Sequence, residues 1–374
     1  MSGIYLHIPF CKKACHYCDF HFSTSLKNQS AFIDALIKEI QVKQEYLQNE
    51  TINTIYFGGG TPSVLSADEI KRIICTINKH YKVNSKAEIT LEANPDDLTK
   101  EKTTELINAG VNRLSIGIQT YQEELLQKLN RSHNKKQAID CVKNARTSGI
   151  TNLNLDLIFG LPSSTFESFK IDVQTLIEQN PEHISAYWMT IEEKTVFGNW
   201  QKKGQLNPLP DEHALQQWHY LKEQLKLNDY KQYEISNFSK AGYESNHNGN
   251  YWKGVHYLGL GPSAHSYNGN ERAWNISNNT KYIKAIEENQ KYQTIETLSR
   301  EDKINEHLMT RLRTSWGVDL IYLKNELAFD LLTEQQKNIG KYLSKKKITV
   351  TPSKITLTDK GQQFADEIAS DLFV

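Results

Sequence analysis

The stretch GIYLHIPFCKKACHYCDF, residues 3–20, joins a predicted β-strand to a close group of three cysteines. Its first part, GIYLHIP, is short and rich in β-branched and aromatic residues, which is typical of a strand. Cys11, Cys15 and Cys18 follow in the spacing CxxxCxxC, so one loop can wrap three sulfur ligands around one centre. The sequence therefore predicts a metal site on the loop after the first strand.

Two kinds of metal site fit three clustered thiols. Structural zinc requires four ligands, and the fourth could be His7, His16, Asp19 or His21. An iron–sulfur cluster normally takes four thiolates, so a cluster held by three leaves one iron free to bind another molecule. The spacing alone leaves both kinds of site open.

The other cysteines do not suggest disulfides. The chain has five cysteines, an odd number, and Cys75 and Cys141 lie far from the first three. Each falls in an amphipathic helical pattern, where a small buried thiol is ordinary. We therefore expect Cys75 and Cys141 to be core residues.

Length and charge limit the classes of function. The 374 residues suffice for a barrel-sized domain with one or two small appendages. Lys+Arg and Asp+Glu both number 44, and this neutrality gives no reason to expect a nucleic-acid partner. The sequence shows neither a secretion signal pattern nor an apolar run of about 18 residues. We expect a cytoplasmic protein, and transient membrane association stays open.

A repeated strand–helix pattern follows the first strand. Helical patterns start at Gln29 and at Ser66, where Ser66 has the properties of an N-cap before an acidic first turn. Further strand candidates start at Ile52, Ala87, Asn112, Asn152 and His183. Six βα units in a row predict an α/β fold with a parallel sheet, arranged as a partial (βα)6 barrel related to the TIM barrel.

Polar and glycine residues recur where these strands end. The cysteine loop, the run GGGTP at residues 58–62, Glu92, Gln119 and Asp156 all fall at the carboxyl edge of the predicted sheet. That edge carries the chemistry in such barrels. A structural zinc site would not require this convergence, although a glycine run alone is more often a tight turn and a strand-end carboxylate is often a helix cap.

The cysteine loop after strand one and GGGTP after strand two resemble the radical SAM superfamily. The resemblance implies a [4Fe-4S] cluster on Cys11, Cys15 and Cys18, with S-adenosylmethionine bound to the fourth iron. It also implies that Gly58, Gly59, Gly60 and Thr61 bring the backbone close to the methionyl group of that cofactor.

Longer segments resemble the coproporphyrinogen-related branch of this superfamily. They are IYLHIPFC, GGGTPS, EANPDDL, NRLSIGIQTYQEELLQKLNRSH and NLDLIFGLP. The resemblance implies that Tyr5, Glu92, Gln119, Arg131 and Asp156 surround S-adenosylmethionine. These residue types agree: Asp156 suits a ribose hydroxyl pair, Arg131 a carboxylate, and Gln119 any polar group.

Two families of this branch are candidates, namely oxygen-independent coproporphyrinogen III dehydrogenase and the HemW-type heme chaperones. The loop of the dehydrogenase resembles CxxxCxxCxC, whereas this chain has Phe20 at the last position. The dehydrogenase also has a longer segment before its cluster loop, and only ten residues precede Cys11 here. Both differences favour the chaperones.

The run HNGNYW, residues 247–252, resembles the HNxxYW motif of the heme chaperones. The resemblance implies heme as a third cofactor, with His247 as an axial iron ligand and Tyr251 and Trp252 as flat contact surfaces. A histidine beside aromatic residues is often a hydrogen-bonded core residue instead. The implied partners are heme and heme-accepting proteins, including membrane-bound cytochromes, with an unidentified electron donor.

We expect three regions along the chain. Residues 1–195 form the radical SAM core with the cluster loop, and residues 196–297 extend the sheet and carry the HNxxYW motif. Residues 298–374 read as helices followed by a hairpin and a helix, which predicts a small winged-helix-like module that acts as a lid or docks a partner. The segment KQYEISNF, from Lys231, is predicted to be a strand beside the motif.

The sequence thus favours a heme chaperone, with a coproporphyrinogen III dehydrogenase as the alternative and a zinc-stapled binding protein as a third class. Whether the protein is an enzyme stays open at this stage.

Overall fold

The computed structural model describes residues 2–374, which form a large mostly parallel sheet flanked by helices and a small second sheet. The strands of residues 2–374 are β1 (Ser2–Ile8), β2 (Ile52–Gly59), β3 (Val83–Ala93), β4 (Arg113–Gln119), β5 (Leu153–Phe159), β6 (His183–Trp188), β7 (Lys231–Glu234), β8 (Asn237–Ser239), β9 (Tyr257–Leu260), β10 (His265–Tyr267), β11 (Glu271–Asn275), β12 (Gln293–Thr297), β13 (Val318–Asp319), β14 (Ile348–Val350) and β15 (Lys354–Leu357).

Helices connect most of these strands. They are α1 (Gln29–Val42), α2 (Ala67–His80), α3 (Lys100–Ala109), α4 (Glu123–Lys128), α5 (Lys135–Ser148), α6 (Phe166–Glu178), α7 (Val196–Lys202), α8 (Asp211–Leu227), α9 (Asn246–Lys253), α10 (Asn279–Glu287), α11 (Arg300–Leu312), α12 (Leu320–Glu326), α13 (Leu331–Glu334), α14 (Gln336–Ser344) and α15 (Ala365–Asp371). Short 3₁₀ turns lie at Pro62–Val64, Pro95–Asp97 and Gln362–Phe364.

The first six strands form the centre of the large sheet. β1 to β6 are parallel neighbours in chain order, which is the arrangement predicted for six βα units. On one side β9 pairs in parallel with β1 and is followed by antiparallel β10, β11 and β12. On the other side β8 and β7 add antiparallel to β6. The predicted α/β fold with an extended sheet is confirmed.

Local signals explain where these elements begin. Ser66 caps α2, since its side chain accepts from the Glu69 backbone N–H and the Glu69 carboxylate accepts from the Ser66 backbone N–H. The parallel strands are covered by helices, which is why they read as apolar runs. In β1 the side chains of Ile4 and Leu6 are fully buried in the main core.

A separate hydrophobic core lies in the C-terminal part of the chain. Leu308, Leu323, Tyr342 and Ile355 are among its fully buried side chains, and β13, β15 and β14 form the small sheet beside it. This agrees with a winged-helix-like module. The division of the chain at residues 195/196 and 297/298 remains a prediction.

The segment KQYEISNF extends the sheet as predicted, although it forms the two-stranded β7–β8 hairpin next to β6 instead of a single strand. The expectation for one of the two remaining cysteines was wrong. Cys75 is exposed, because the buried face of α2 is formed by Ile70, Ile73, Ile74 and Ile77, whereas Cys141 is buried as expected. No helix within residues 2–374 is long and apolar enough to cross a membrane.

Candidate functional site

A cavity of about 480 Å³ opens at the carboxyl edge of the parallel strands. Most of the residues that the sequence singled out line this one cavity. They are Cys11, Cys15, Cys18, Gly59, Gly60, Thr61, Glu92, Gln119, Arg131 and Asp156. We call it the cluster cavity.

Backbone hydrogen bonds fix the cysteine loop against the ends of β1 and β2. The Cys11 N–H donates to the Ser23 carbonyl at 3.0 Å, which closes the loop on itself. The Thr61 N–H donates to the Phe10 carbonyl at 2.7 Å, and the Gly60 N–H donates to the Ile8 carbonyl at 2.9 Å. The glycine turn and the thiol loop are therefore held in contact by main-chain bonds.

Two side chains donate to the thiol sulfurs. The Thr61 hydroxyl donates to Cys11 Sγ and the Arg131 Nη1 donates to Cys15 Sγ, both at 3.4 Å. Burial raises the pKa of the Cys11 thiol, and it raises the pKa of Cys18 to about 11. Thiols of this kind become good ligands when a metal displaces their protons.

The histidines proposed as zinc ligands are engaged elsewhere. His7 Nε2 bonds to the His21 carbonyl at 2.8 Å, His16 Nδ1 to the Lys128 carbonyl at 2.9 Å, and His21 Nε2 to Asn279 Oδ1 at 2.7 Å. Of the four candidates for a fourth ligand, Asp19 lines the cluster cavity. Within residues 2–374 the side chains of His, Cys, Asp and Glu form no group of three or more that could hold a single metal ion.

The glycine run is required by close packing. Gly59 has φ +103°, and a Cβ there would lie 2.6 Å from the His7 ring. A Cβ on Gly60 would lie 2.7 Å from the Ile8 carbonyl oxygen. A larger residue at either position would push the turn away from β1 and deform the wall of the cluster cavity.

Two carboxyl groups in the cavity have raised pKa values. Burial raises the pKa of Glu92 to about 7, although the Tyr56 hydroxyl donates to Glu92 Oε1 at 2.8 Å. Burial likewise raises the pKa of Asp156 to about 6, and the Asn154 amide donates to Asp156 Oδ1 at 2.7 Å. A cationic or hydroxyl-bearing ligand would offset the cost of ionising both groups.

Arg131 spans the floor of the cavity. Its Nη2 donates to Asn94 Oδ1 and to the Gly117 carbonyl, both at 2.7 Å. Its Nε is buried and has no hydrogen-bond partner within residues 2–374. Next to it, Gln119 holds a left-handed backbone, with φ +70° at the end of β4. Such strain in a residue other than glycine is common at binding sites.

Tyr5 and Gly58 lie behind the cavity wall. A Cβ on Gly58 would lie 3.0 Å from the Tyr5 ring and 3.1 Å from Glu92 Oε1. The Tyr5 ring stacks on the Tyr56 ring with centroids 6.2 Å apart. In this conformation both residues support the side chains that face the cavity.

His247 is buried beneath the same layer and is 2% exposed. Its Nδ1 bonds to Thr54 Oγ1 at 2.8 Å and its Nε2 to the Tyr251 hydroxyl at 2.9 Å. The ring stacks on Tyr56 with centroids 4.9 Å apart. Both ring nitrogens are thus occupied, and in this conformation the imidazole supports Tyr56 instead of facing a heme-sized space.

Several other residues line the cluster cavity and were not predicted from the sequence. Asn94, Gly117, Tyr187, Trp188 and Met189 lie at or just beyond strand ends. Their signal was their position near the ends of the predicted strands, at the same edge as Glu92 and Gln119.

Known proteins resemble this chain along most of its length. Proteins named heme chaperone HemW are 38% identical in Bacillus subtilis (85% of this chain, 85% of the relative) and 35% identical in Lactococcus lactis subsp. lactis (98% and 96%). The chain belongs to the HemW family. Two family models also match this chain. The model of the radical SAM superfamily matches residues 5–176, and the model of the HemN C-terminal domain matches residues 298–364.

A solved structure shares the fold of this HemW-family chain. Coproporphyrinogen III oxidase (HemN) from Escherichia coli has a TM-score of 0.86 and 23% sequence identity, covering 100% of this chain and 90% of that chain. At this identity the likeness concerns the fold.

Membership of the radical SAM superfamily implies a [4Fe-4S] cluster and S-adenosylmethionine. The cluster cavity fits both groups. It offers three thiols, two of which accept hydrogen bonds from Arg131 and Thr61. It also offers the Arg131 Nε, which has no acceptor within residues 2–374, and the half-buried carboxyl groups of Glu92 and Asp156.

Proposed function

We propose that this protein is a heme chaperone that binds a [4Fe-4S] cluster, S-adenosylmethionine and heme, and that delivers heme to acceptor proteins. The observation that carries the proposal is membership of the HemW family, whose curated relatives bear that name. The cluster cavity supports it, since it gathers cluster-type and cofactor-type ligands at one sheet edge.

The cysteine loop would hold the cluster. Cys11, Cys15 and Cys18 would supply the thiolates, and bonds to iron would offset the cost that burial places on the ionised forms of Cys11 and Cys18. The N–H of Arg131 and the hydroxyl of Thr61 donate to two of these sulfurs, which tunes the redox potential of an iron–sulfur site.

The remaining cavity residues would hold S-adenosylmethionine. Gly59 and Gly60 let the backbone approach the methionyl group, Asp156 accepts from ribose hydroxyls, and Arg131 uses its buried Nε toward a carboxylate. Glu92 and Gln119 supply further polar contacts from β3 and β4, while Tyr5, Gly58 and Tyr56 back the wall. The chemistry available with the cofactors bound is one-electron transfer to S-adenosylmethionine.

Delivery would take place from the cytoplasm, with acceptors that include membrane-bound cytochromes. The C-terminal module is proposed to act in this step as a lid or a docking surface. The role of His247 as an axial heme ligand remains a hypothesis, and its occupied nitrogens argue for a supporting role.

The test is a set of anaerobic assays on the reconstituted full-length protein. We expect about four iron and four sulfide per chain, saturable heme uptake, transfer of that heme to an apo heme protein, and no protoporphyrinogen IX from coproporphyrinogen III. Accumulation of protoporphyrinogen IX would instead assign the dehydrogenase reaction. One zinc per chain without iron or sulfide would remove the cluster.

A further inference from the structure

A second cavity, also of about 480 Å³, lies between the end of β6 and the C-terminal module. Its walls are mostly aromatic and aliphatic, and we call it the aromatic cavity. Its apolar side chains include Phe159, Tyr187, Trp188, Leu215, Trp218 and Phe364. Tyr187, Trp188 and Thr190 line the cluster cavity as well, so the two spaces meet at the end of β6.

Two large aromatic side chains are left open to solvent at this meeting point. Tyr187 is 43% exposed and Trp188 is 40% exposed, although both follow directly on the buried part of β6. Exposing adjacent aromatic rings to water has a free-energy cost, and such exposed apolar patches mark surfaces that bind apolar ligands or partner proteins.

The wall that these rings belong to is preformed. Trp188 packs on Phe159 with centroids 5.8 Å apart, and Phe159 stacks on Trp218 at 5.3 Å with an interplanar angle of 20°. Gly160, with φ +73°, permits this packing, because a Cβ there would lie 3.0 Å from the Trp188 ring. Because these rings are already packed in place, little side-chain conformational entropy would be lost when a flat ligand binds to them.

The opposite wall supplies charge and comes from another part of the chain. Residues 362–367 of the C-terminal module face β6 across the cavity. Arg313 also lines it and donates from Nη1 to Asp366 Oδ1 at 2.7 Å, while its guanidinium lies 5.8 Å from the Trp252 ring of the HNxxYW motif. A guanidinium has five N–H donors, so Arg313 can serve a carboxylate in addition to Asp366.

We propose that the aromatic cavity is the heme site of this protein, with the macrocycle against Trp188 and a propionate on Arg313. The inference rests on the proposed function, because it takes heme as the cargo. Heme is a flat aromatic molecule with an apolar body and two carboxylates, and the cavity presents aromatic faces and the Arg313 guanidinium, with Asp366 and Glu367 also in its lining. His247 lines neither cavity.

The test is an anaerobic titration of hemin into the cluster-reconstituted full-length protein, followed by the Soret band. Trp188→Ala removes the exposed face, and Ser236→Trp fills the cavity from the β7–β8 turn. We expect each variant to weaken heme binding roughly tenfold or more. The matched control is Tyr322→Ala, since that ring is 41% exposed but lines a separate cavity of about 330 Å³.

The outcomes separate the site from the function. Weaker binding in Trp188→Ala and Ser236→Trp, with parent-like binding in Tyr322→Ala, supports the aromatic cavity. Saturable binding by the parent that both cavity variants retain overturns this site and leaves the chaperone function standing. A parent that takes up no heme saturably overturns the proposed function, and the inference with it.

Discussion

Glu92 and Asp156 are half-buried carboxyl groups in the lining of the cluster cavity. The pKa of Glu92 is about 7, compared with a usual value of 4.5. Below pH 4.5 both the folded and the unfolded chain are protonated, so this group costs no stability there. As the pH rises from 4.5 to 7 the unfolded chain ionises while the folded chain keeps its proton, so stability is lost across this range and the loss is complete above pH 7.

Glu92→Gln should therefore stabilise the ligand-free protein at alkaline pH. We expect a gain of roughly 2–3 kcal/mol in unfolding free energy at pH 8 and little gain at pH 4.5, together with a tenfold or greater loss of affinity for S-adenosylmethionine. Urea unfolding at both pH values and calorimetric titration would measure the two effects. The exposed Glu178 gives the control, Glu178→Gln, which should change neither. An equal effect of Glu92→Gln at both pH values would show that ionisation is not the cause.

His247 is expected to support the cofactor site through Tyr56. His247→Ala would leave a gap beneath Tyr56 and free the hydroxyls of Thr54 and Tyr251, at a cost of roughly 2–4 kcal/mol. Affinity for S-adenosylmethionine should fall, whereas heme affinity should stay near that of the parent. Thr54→Val removes one hydrogen bond and should cost about 1 kcal/mol. Loss of the Soret band with unchanged cofactor affinity would restore His247 as an iron ligand.

The same residue adds a pH dependence of opposite sign. Burial lowers the pKa of His247 to about 3 from its usual 6.5. Its contribution to stability is present above pH 6.5 and is lost as the pH falls toward 3, because the unfolded imidazole takes up a proton more readily. Acid unfolding of the parent should therefore begin at higher pH than that of His247→Phe.

At the scale of elements, the order and type of the βα units could be predicted because their signals are local. The Ser66 cap, the alternation of apolar strands with amphipathic helices and the glycine run are each readable from neighbouring residues. The placement of α9 could not be predicted, because tertiary contacts decide how this helix packs on β2, 193 residues away in sequence. The aromatic end of β6 was missed because exposure depends on what the C-terminal module covers.

Gly59 at the end of β2 offers a test of the glycine turn. Gly59→Ala should destabilise the protein by several kcal/mol and abolish binding of S-adenosylmethionine, because the methyl group meets the His7 ring at 2.6 Å. Gly149, after α5, is a matched control with φ +108° and nothing within 4 Å of its Cβ position. Gly149→Ala should cost about 1 kcal/mol from backbone strain and leave binding intact. Similar losses in both variants would mean that strain alone matters and that close packing at the turn does not.

At the scale of the whole molecule, the radical SAM core and the C-terminal module meet across the aromatic cavity. A ligand bound there should order two segments distant in sequence, namely residues 183–190 at the end of β6 and residues 362–367. We expect heme to slow amide hydrogen exchange in both segments, measured by mass spectrometry on the full-length protein. Protection confined to residues 247–252 would place heme at the HNxxYW helix instead.

A heme chaperone binds heme and releases it unchanged, whereas a coproporphyrinogen III dehydrogenase converts its porphyrinogen substrate, so the two functions can be separated by experiment. The likeness to coproporphyrinogen III oxidase is one of fold, and the exposed Phe20 stands where the resemblance to the dehydrogenase calls for cysteine. The most direct test is an anaerobic heme titration of the cluster-reconstituted full-length protein. We expect saturable binding of one heme per chain, and weak unsaturable uptake would contradict the assignment of this protein as a heme chaperone.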